Sequence, residues 1–152
     1  MRRKDLEMDR TFALEVLRDC EYATLATSNP DGTPYCIPVS PVLVDDTVYF
    51  HCAPEGQKLV NIKHTDSVCI SSVRYTKLVP ETFSTEYESA VAFGKCSIVD
   101  DDEEKIMALI KICEKYAKSN MEHFEESLKK SLHRTNVCKI EITKITGKAN
   151  MP

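Results

Sequence analysis

The amino-acid sequence predicts a mainly β protein with helices (α+β), in which six antiparallel strands form a closed or nearly closed barrel. Three observations predict this class: six segments rich in strand-forming residues, two tight turns between the first three of them, and only a few segments with helical periodicity. Closure removes the exposed edges that an open antiparallel sheet would present. The number of strands does not by itself distinguish a barrel from a sandwich.

The strands are predicted from alternating or β-branched segments bounded by turn residues. Asp31-Gly32 and Asp45-Asp46 are tight turns that join the first three strands into an antiparallel meander. The stretch 77–85 is not assigned to a regular element, because Pro80 lacks the N–H that a central strand would use. The six predicted strands span residues 22–27, 35–44, 47–52, 67–75, 87–99 and 137–145.

Four segments have helical periodicity. Asp9 can cap the first, residues 54–64 form the second, and the acidic run 100–104 suits the positive N-terminus of the third. Ser119 or Asn120 is expected to cap the fourth. The predicted apolar sides consist of Phe12, Ala13, Val16, Leu17 and Cys20; Leu59 and Ile62; Ile106, Leu109, Ile110, Cys113, Tyr116 and Ala117; and Met121, Phe124, Leu128 and Leu132.

Length and composition limit the class of protein. The 152 residues suffice for a single domain, 1–152, whose charged residues 1–8 are expected to be a loose lead-in. A hydrophobic content of 42% with 29% charged residues is typical of a globular chain. The formal net charge of -4, without a basic stripe, predicts no nucleic-acid partner. The absence of a long apolar run or an N-terminal signal pattern predicts a cytoplasmic protein with no membrane partner.

The seven cysteines include no Cys-x-x-Cys pair, so neither a zinc ribbon nor a thioredoxin-type redox site is predicted, and no metal site is expected. Their apolar neighbours favour small buried side chains in a reducing compartment. A reactive thiol is the alternative, and Cys52 is its candidate because it follows His51.

The segment with the most chemical content runs from Pro38 to Lys58. Pro38 and Pro41 cannot both lie in a regular central ladder, so their strand is expected to bulge or to offer free backbone groups to a ligand. The third strand then leads to Gly56 and Lys58 at a helix start, where free N–H groups and an ammonium suit a phosphate. An ordinary edge strand and a solvated lysine remain the alternative.

Five motifs occur in one order along the chain. They are Tyr-Ala-Thr-Leu-Ala-Thr at 22–27, Asp-Gly-Thr-Pro-Tyr at 31–35, Tyr-Phe-His-Cys-Ala-x-x-Gly-x-Lys at 49–58, Glu-Tyr-Glu-Ser with Phe-Gly within 86–94, and Ile-Thr-Lys-Ile-Thr-Gly-Lys at 142–148. Together they resemble the nitroimidazole-resistance (Nim-type) branch of the pyridoxamine 5'-phosphate oxidase-like flavoproteins. The resemblance covers about residues 9–148. It implies a split β-barrel that forms a homodimer and holds FMN at the subunit interface.

When the residues of the family are matched to this sequence position by position, the resemblance implies a role for each matching residue. The backbone from Cys36 to Ser40 would line the flavin ring and ribityl chain, and Lys58 would hold the phosphate. His51 would face the substrate as the catalytic residue and donate a proton to a nitro or carbonyl oxygen. The implied cofactor-binding residues are Cys36, Ile37, Pro38, Val39, Ser40, Phe50, His51, Lys58 and Ser89. A structural role for His51 and an ordinary outward hydroxyl for Ser89 remain alternatives.

Two departures from the family pattern qualify the resemblance. Residues 147–152 lack the arginine-and-histidine segment that binds pyridoxal phosphate in the oxidase itself, so oxidation of pyridoxamine 5'-phosphate is not expected. Cys138 occupies a position on the last strand where relatives often have an aromatic residue. If that aromatic ring helps to cover the flavin, the affinity for the cofactor or the access to it would differ in this chain.

The function implied by the resemblance is an FMN-dependent oxidoreductase. It would pass electrons from a nicotinamide donor to a small-molecule acceptor such as a nitroaromatic compound or a quinone. Two alternatives remain: a deazaflavin or haem in place of FMN, and a non-catalytic protein that binds or senses a flavin.

Overall fold

The computed structural model describes residues 2–151, which build one eight-stranded antiparallel sheet with helices around it. The sheet order is β3-β2-β6-β7-β8-β5-β4, and β1 pairs with β8. The strands are β1 (Glu7–Met8), β2 (Ala23–Ser28), β3 (Pro34–Val39), β4 (Val42–Val44), β5 (Thr47–Cys52), β6 (Ser67–Val79), β7 (Ser84–Ile98) and β8 (Asn136–Asn150). This architecture confirms the predicted α+β class.

The sheet curls because its two edge strands are consecutive in the chain. β3 ends at Val39 and β4 begins at Val42, so only Ser40 and Pro41 connect the two edges. Three Cα-to-Cα steps span at most about 11 Å, and the edges must therefore lie close together. Within residues 2–151, β3 and β4 do not pair with each other. The barrel is consequently open along this line, as in a split β-barrel.

The number of strands is eight where six were predicted. The predicted strand 35–44 divides at Ser40-Pro41, because Pro41 has no N–H with which to continue a ladder. The other addition is β1, inside the predicted lead-in 1–8, where Glu7 and Met8 pair with Lys148 and Gly147. These partners lie beyond residue 145, where the last strand was predicted to end. Met1 lies outside the described residues.

The unassigned stretch 77–85 is the tip of a long hairpin formed by β6 and β7. Pro80–Thr82 form a 3-10 turn, so the proline lies outside the ladder and does not interrupt it. Phe83 follows with a φ of 51° and a fully exposed side chain. The hairpin therefore continues past the barrel to a tip that carries an exposed aromatic ring.

The helices are α1 (Arg10–Asp19), α2 (Gln57–His64), α3 (Asp102–Tyr116) and α4 (Phe124–Ser131). The carboxylate of Asp9 caps α1 by accepting a hydrogen bond from the N–H of Phe12 at 2.8 Å, as predicted. α2 begins later than predicted, after Gly56, whose φ of 145° is not helical. Neither Ser119 nor Asn120 caps α4, because a 3-10 turn over Lys118–His123 leads directly into it. Within residues 2–151, none of the helices has the length and apolar character required to cross a membrane.

Three apolar clusters build the core, and the smallest packs Ala13 and Val16 of α1 against Ala90 of β7. The barrel interior is filled by side chains such as Leu25, Phe50 and Ile140, and a second cluster joins α3 to β4 and β5. The prediction of the buried side of α3 was only partly right. Ala108, Leu109 and Ile112 are its buried residues, whereas Cys113 is only half buried. α3 has apolar residues on two sides, and periodicity alone did not identify the side that packs on the sheet.

All seven cysteines are free. Cys20, Cys52, Cys96 and Cys138 are buried, as expected for small apolar side chains, but Cys36 is exposed on β3. In the part of the chain that the structure describes, no three His, Cys, Asp or Glu side chains converge as a metal site.

Candidate functional site

An open depression of about 350 Å³ lies where β3 and β5 end and α2 begins. It joins residues that are up to 36 positions apart in the sequence, counted from Tyr22 to Lys58. The lining residues are Tyr22, Pro38, Val39, Ser40, His51, Cys52 and Lys58. Five of them, all except Tyr22 and Cys52, were predicted as cofactor-binding or catalytic residues.

The other predicted site residues do not line this depression. Cys36 is exposed on the outer face of β3, whereas Ile37 packs its side chain against the barrel core. Phe50 is completely buried in that core, because neighbouring residues of a strand point to opposite faces and His51 points outward. Ser89 lies on β7, where its hydroxyl donates to the carbonyl of Lys148 at 3.3 Å. The side chains of Ile37 and Phe50 therefore face the barrel core, and the predicted roles of the Ile37 backbone and of Phe50 at a cofactor stay predictions.

The start of α2 has unused hydrogen-bond donors. Gly56 is the N-cap, and it offers no side chain to satisfy the first N–H groups of the helix. Within residues 2–151, no backbone acceptor pairs with the N–H groups of Gln57 and Lys58. A Cβ at Gly56 would meet nothing within 4 Å, so the position of a side chain at this residue is open space. This is the arrangement that binds phosphate at helix N-termini.

Lys58 adds a positive charge to the same place. Its ammonium takes part in none of the ion pairs formed within residues 2–151. The charge lies close enough to Cys52 and Cys138 to favour their thiolate forms. An anion in the depression would thus meet an uncommitted cation on the residue that also carries one of the free N–H groups of the helix start.

A buried network of amides fixes α2 against β2. The side chain of Asn61 is fully buried and donates to Thr27 Oγ1 and Asn29 Oδ1, both at 2.9 Å. Asn61 Oδ1 accepts from Gln57 Nε2 at 2.8 Å. Because all these polar atoms are paired, α2 and its first turn have one defined position. The sequence analysis missed this network, since only Leu59 and Ile62 were predicted to hold the helix.

The Ser40-Pro41 connection is fixed from the opposite side by α3. The carbonyl of Pro41 accepts hydrogen bonds from Lys115 Nζ at 2.9 Å and from Tyr116 OH at 2.8 Å. Burial lowers the pKa of Lys115 and raises that of Tyr116, so the tyrosine stays a neutral donor. These two hydrogen bonds therefore fix the chain just after the end of β3, beside the depression. Within residues 2–151, the backbone groups on the side of β3 away from β2 pair with no strand.

Cys52 lines the depression, and Cys138 lies in the barrel core. A hydrogen bond shared with Cys138, together with burial, raises the pKa of Cys52 far above its ordinary value. Cys52 lowers the pKa of Cys138, but the hydrogen bond with Cys96 and burial raise it more, to about 12. Both thiols are consequently protonated at neutral pH and poor nucleophiles, and Cys52 adds an apolar surface to the depression.

Comparison with known proteins identifies a family and several solved structures that this chain resembles. The family described as Pyridoxamine 5'-phosphate oxidase matches residues 9–149. No curated protein matches the chain. Among solved structures, a proposed 5-nitroimidazole antibiotic resistance protein from Bacteroides thetaiotaomicron is 26% identical, with a TM-score of 0.77 over 94% of this chain and 86% of that one.

Two more distant structures share the fold. The flavocytochrome Anf3 from Azotobacter vinelandii is 18% identical, with a TM-score of 0.86 over 100% of this chain and 72% of that one. An FAD and heme binding protein from Mycobacterium smegmatis is 19% identical, with a TM-score of 0.81 over 95% of this chain and 72% of that one. At such identities the likeness concerns the fold.

Proposed function

Because the chain belongs to the pyridoxamine 5'-phosphate oxidase family, we propose that the depression at the ends of β3 and β5 binds a flavin, FMN. The observation that carries this proposal is the convergence of Pro38–Ser40, His51 and Lys58 on one surface depression. These residues lie on three different elements, and the resemblance of the sequence assigns all of them to a flavin site. The flavin-binding relatives of the same fold support the ligand class.

The residues around the depression fit the parts of FMN. Lys58 and the two free N–H groups at the start of α2 provide a cation and donors for the phosphate. The unpaired edge of β3 offers backbone groups along Cys36–Ser40 for the polar edge of the ring and the ribityl chain. Tyr22, which is 62% exposed, and the neutral Cys52 provide apolar contact area at the rim and the base.

The proposed activity is the reduction of a small acceptor, such as a nitroaromatic compound or a quinone, with electrons from a nicotinamide donor. When bound, the flavin supplies the electron chemistry. The protein orients the ring and excludes water, and the exposed imidazole of His51 donates a proton to an acceptor oxygen. Lys58 holds the phosphate away from the reacting end.

We also propose that two copies of the chain form a homodimer that encloses the ligand. One cross-strand row on the outer face of the sheet consists of Cys36, Ala26, Cys69 and Phe93, and Phe93 is 45% exposed. This apolar row begins on β3 beside Pro38, which lines the depression. A second copy on this face would therefore supply the wall that the open depression lacks. Ser89, on the same face of β7 as Phe93, would then face the partner.

The test of the ligand uses the purified protein. Its absorption spectrum should contain flavin bands, and excess FMN should raise Tm, since a ligand of the native state must stabilise it. Lys58→Ala should weaken FMN binding at least tenfold, because a charge-assisted phosphate contact is lost. Lys63→Ala, at the other end of α2, is the matched control and should bind normally. A colourless protein whose Tm does not respond to FMN would refute the proposal.

The test of the dimer is sedimentation of the protein and of Phe93→Arg. The variant should be monomeric and should retain FMN less well, because the charge lies in the proposed contact surface. A monomeric wild-type protein with tightly bound flavin would contradict the shared site.

A non-catalytic flavin- or haem-binding protein is the second candidate, and the fold likeness to a flavocytochrome and to an FAD and heme binding protein favours it. The absorption spectrum separates the ligands, because haem gives a sharp Soret band and a deazaflavin absorbs at different wavelengths from FMN. Reduction by NAD(P)H separates the functions. Bound flavin that no nicotinamide donor reduces would favour binding without turnover.

A further inference from the structure

A separate cavity of about 210 Å³ lies between α3 and α4, and none of its lining residues lines the flavin depression. Leu109 and Cys113 of α3 form one wall, and Phe124 and Leu128 of α4 form the other. Met121 lines it from the 3-10 turn before α4. The cavity therefore sits in the helical layer, outside the barrel.

The outer wall of this cavity is only partly packed. α4 has eight residues and none of them is buried, although Phe124 and Leu128 pack against the second apolar cluster. The helix is bounded by 3-10 turns on both sides, Lys118–His123 and Leu132–Arg134. Two apolar side chains thus remain half exposed over an apolar space, and a molecule that filled it would remove their surface from water.

The walls of the cavity combine an aromatic ring with sulfur atoms. Phe124 provides an aromatic ring, Met121 a thioether and Cys113 a thiol, and rings and soft sulfur atoms make favourable contacts with an aromatic ligand. Two of the lining hydroxyls are already committed: Ser131 donates to the carbonyl of Ser127 at 2.8 Å, and Thr135 donates to that of Ser131 at 3.0 Å. The other polar lining residues, Asn120, His123 and Ser127, are exposed. The half-buried walls consequently offer shape and polarisable contacts, and the remaining polar groups lie on the exposed side.

From this geometry we propose that the α3–α4 cavity is a binding site for a single-ring aromatic molecule. An apolar cavity of about 150 Å³ holds benzene, so 210 Å³ accommodates one ring with a small substituent. A dinucleotide or a flavin is too large, and an anionic ligand would find no lysine or arginine in the lining. The site is independent of the proposed flavin function, because its residues belong to other elements.

The experiment is a titration of the flavin-free and the flavin-loaded protein with toluene, followed by NMR chemical shifts. We expect one saturable site with a submillimolar Kd in both forms. Cyclohexane should bind at least fivefold more weakly, because it makes no ring-to-ring or sulfur-to-ring contacts. Ser127→Phe, which fills the cavity from α4, should weaken toluene binding at least tenfold. Ser119→Phe, on an exposed serine that does not line the cavity, should change it less than twofold.

A second measurement works on the unmodified protein and does not depend on the folding of a variant. Saturating toluene should slow the reaction of Cys113 with a maleimide at least fivefold, while exposed Cys36 reacts at an unchanged rate. Absence of saturable binding, equal binding of cyclohexane, equal effects of the two serine variants, or an unprotected Cys113 would each overturn the proposal. Displacement of toluene by FMN would do the same, since it would place toluene in the depression.

Discussion

The depression that we propose as the flavin site and the α3–α4 cavity differ in how their walls are held. Around the depression, buried polar groups fix each wall: Asn61 ties α2 to β2, and the Pro41 carbonyl accepts two hydrogen bonds from α3. Around the cavity, one wall is a short helix without a single buried residue. The depression therefore holds hydrogen-bond donors at defined positions, whereas the cavity offers an apolar space of a certain size and shape.

This difference indicates what each site can recognise. Donors held within a narrow range of positions suit a ligand with a phosphate and a polar ring edge, because hydrogen bonds depend steeply on distance and angle. Apolar contact is non-directional and tolerates movement of a wall. A loosely packed helix is therefore sufficient over the cavity, whereas the start of α2 has to be fixed.

The largest expected effect is loss of the buried network that holds α2. Asn61→Ala should lower the free energy of unfolding by about 3 kcal/mol, because it removes three side-chain hydrogen bonds at a fully buried position, those with Thr27, Asn29 and Gln57. FMN binding should weaken as well, since the first turn of α2 loses its position. Chemical denaturation measures the stability. Asn120→Ala, on the exposed rim of the cavity, is the control and should cost less than about 0.5 kcal/mol.

The next effect concerns His51. His51→Ala should slow acceptor reduction about a hundredfold while FMN stays bound, because the variant loses a proton donor. Stopped-flow rates per bound flavin measure this. His64→Ala, on the last turn of α2, should react normally. Loss of flavin with a normal rate per bound cofactor would instead assign His51 to cofactor binding.

A smaller effect is expected at the cavity. Leu128→Ala should cost about 1 kcal/mol, less than the loss of a fully buried leucine, because its side chain is only partly buried in the native state. Leu59→Ala at the base of α2, where the side chain is 3% exposed, should cost at least twice as much. Thermal unfolding of both variants checks the comparison. Equal losses would show that α4 is packed as firmly as α2.

The smallest effect concerns Glu104, which joins α3 to the sheet between the two sites. Hydrogen bonds from Lys139 and Tyr49 hold the pKa of this carboxyl below its ordinary value of 4.5, although partial burial opposes them. Because the folded pKa is depressed, the contribution to stability is complete above pH 4.5 and is lost as pH falls through the lower, folded value.

Glu104→Gln should therefore reduce the acid sensitivity of unfolding, and it should cost less than about 1 kcal/mol at neutral pH. Urea denaturation at several pH values below 5 measures both quantities. Glu103→Gln, on the exposed neighbour, is the control. If both variants have the same pH profile, the Glu104 contact does not contribute.

Much of the fold could be predicted because the deciding patterns are local. The Asp9 cap needs only residues within the first turn of α1, and the loop 29–33 around Asp31-Gly32 is held by hydrogen bonds among its own residues. The split of 35–44 also follows from a local property, the missing N–H of Pro41, which the prediction of one continuous strand did not use. β1 could not be predicted in this way, because its partners at 147–148 are distant in the chain.

The candidate site also has features that local patterns predict and features that depend on contacts between distant residues. The sequence by itself predicted a ligand-binding segment from Pro38 to Lys58, since prolines, a helix-start glycine and a lysine each have a fixed local property, and the family resemblance added His51 to that prediction. It also determined the periodicity that buries Leu25 and Ile70 inside the barrel. Side-chain alternation then required Phe50 to point into the core once His51 pointed outward.

Only the tertiary structure decided that these residues meet in one depression, that Asn61 and Pro41 position its walls, and that α3 has a second apolar side facing α4. The physical reason is that each of these features depends on contacts between residues far apart in the chain. Burial and hydrogen bonding at such contacts are set by how the sheet curls and where the helices pack, and a local pattern of residue types does not contain that information.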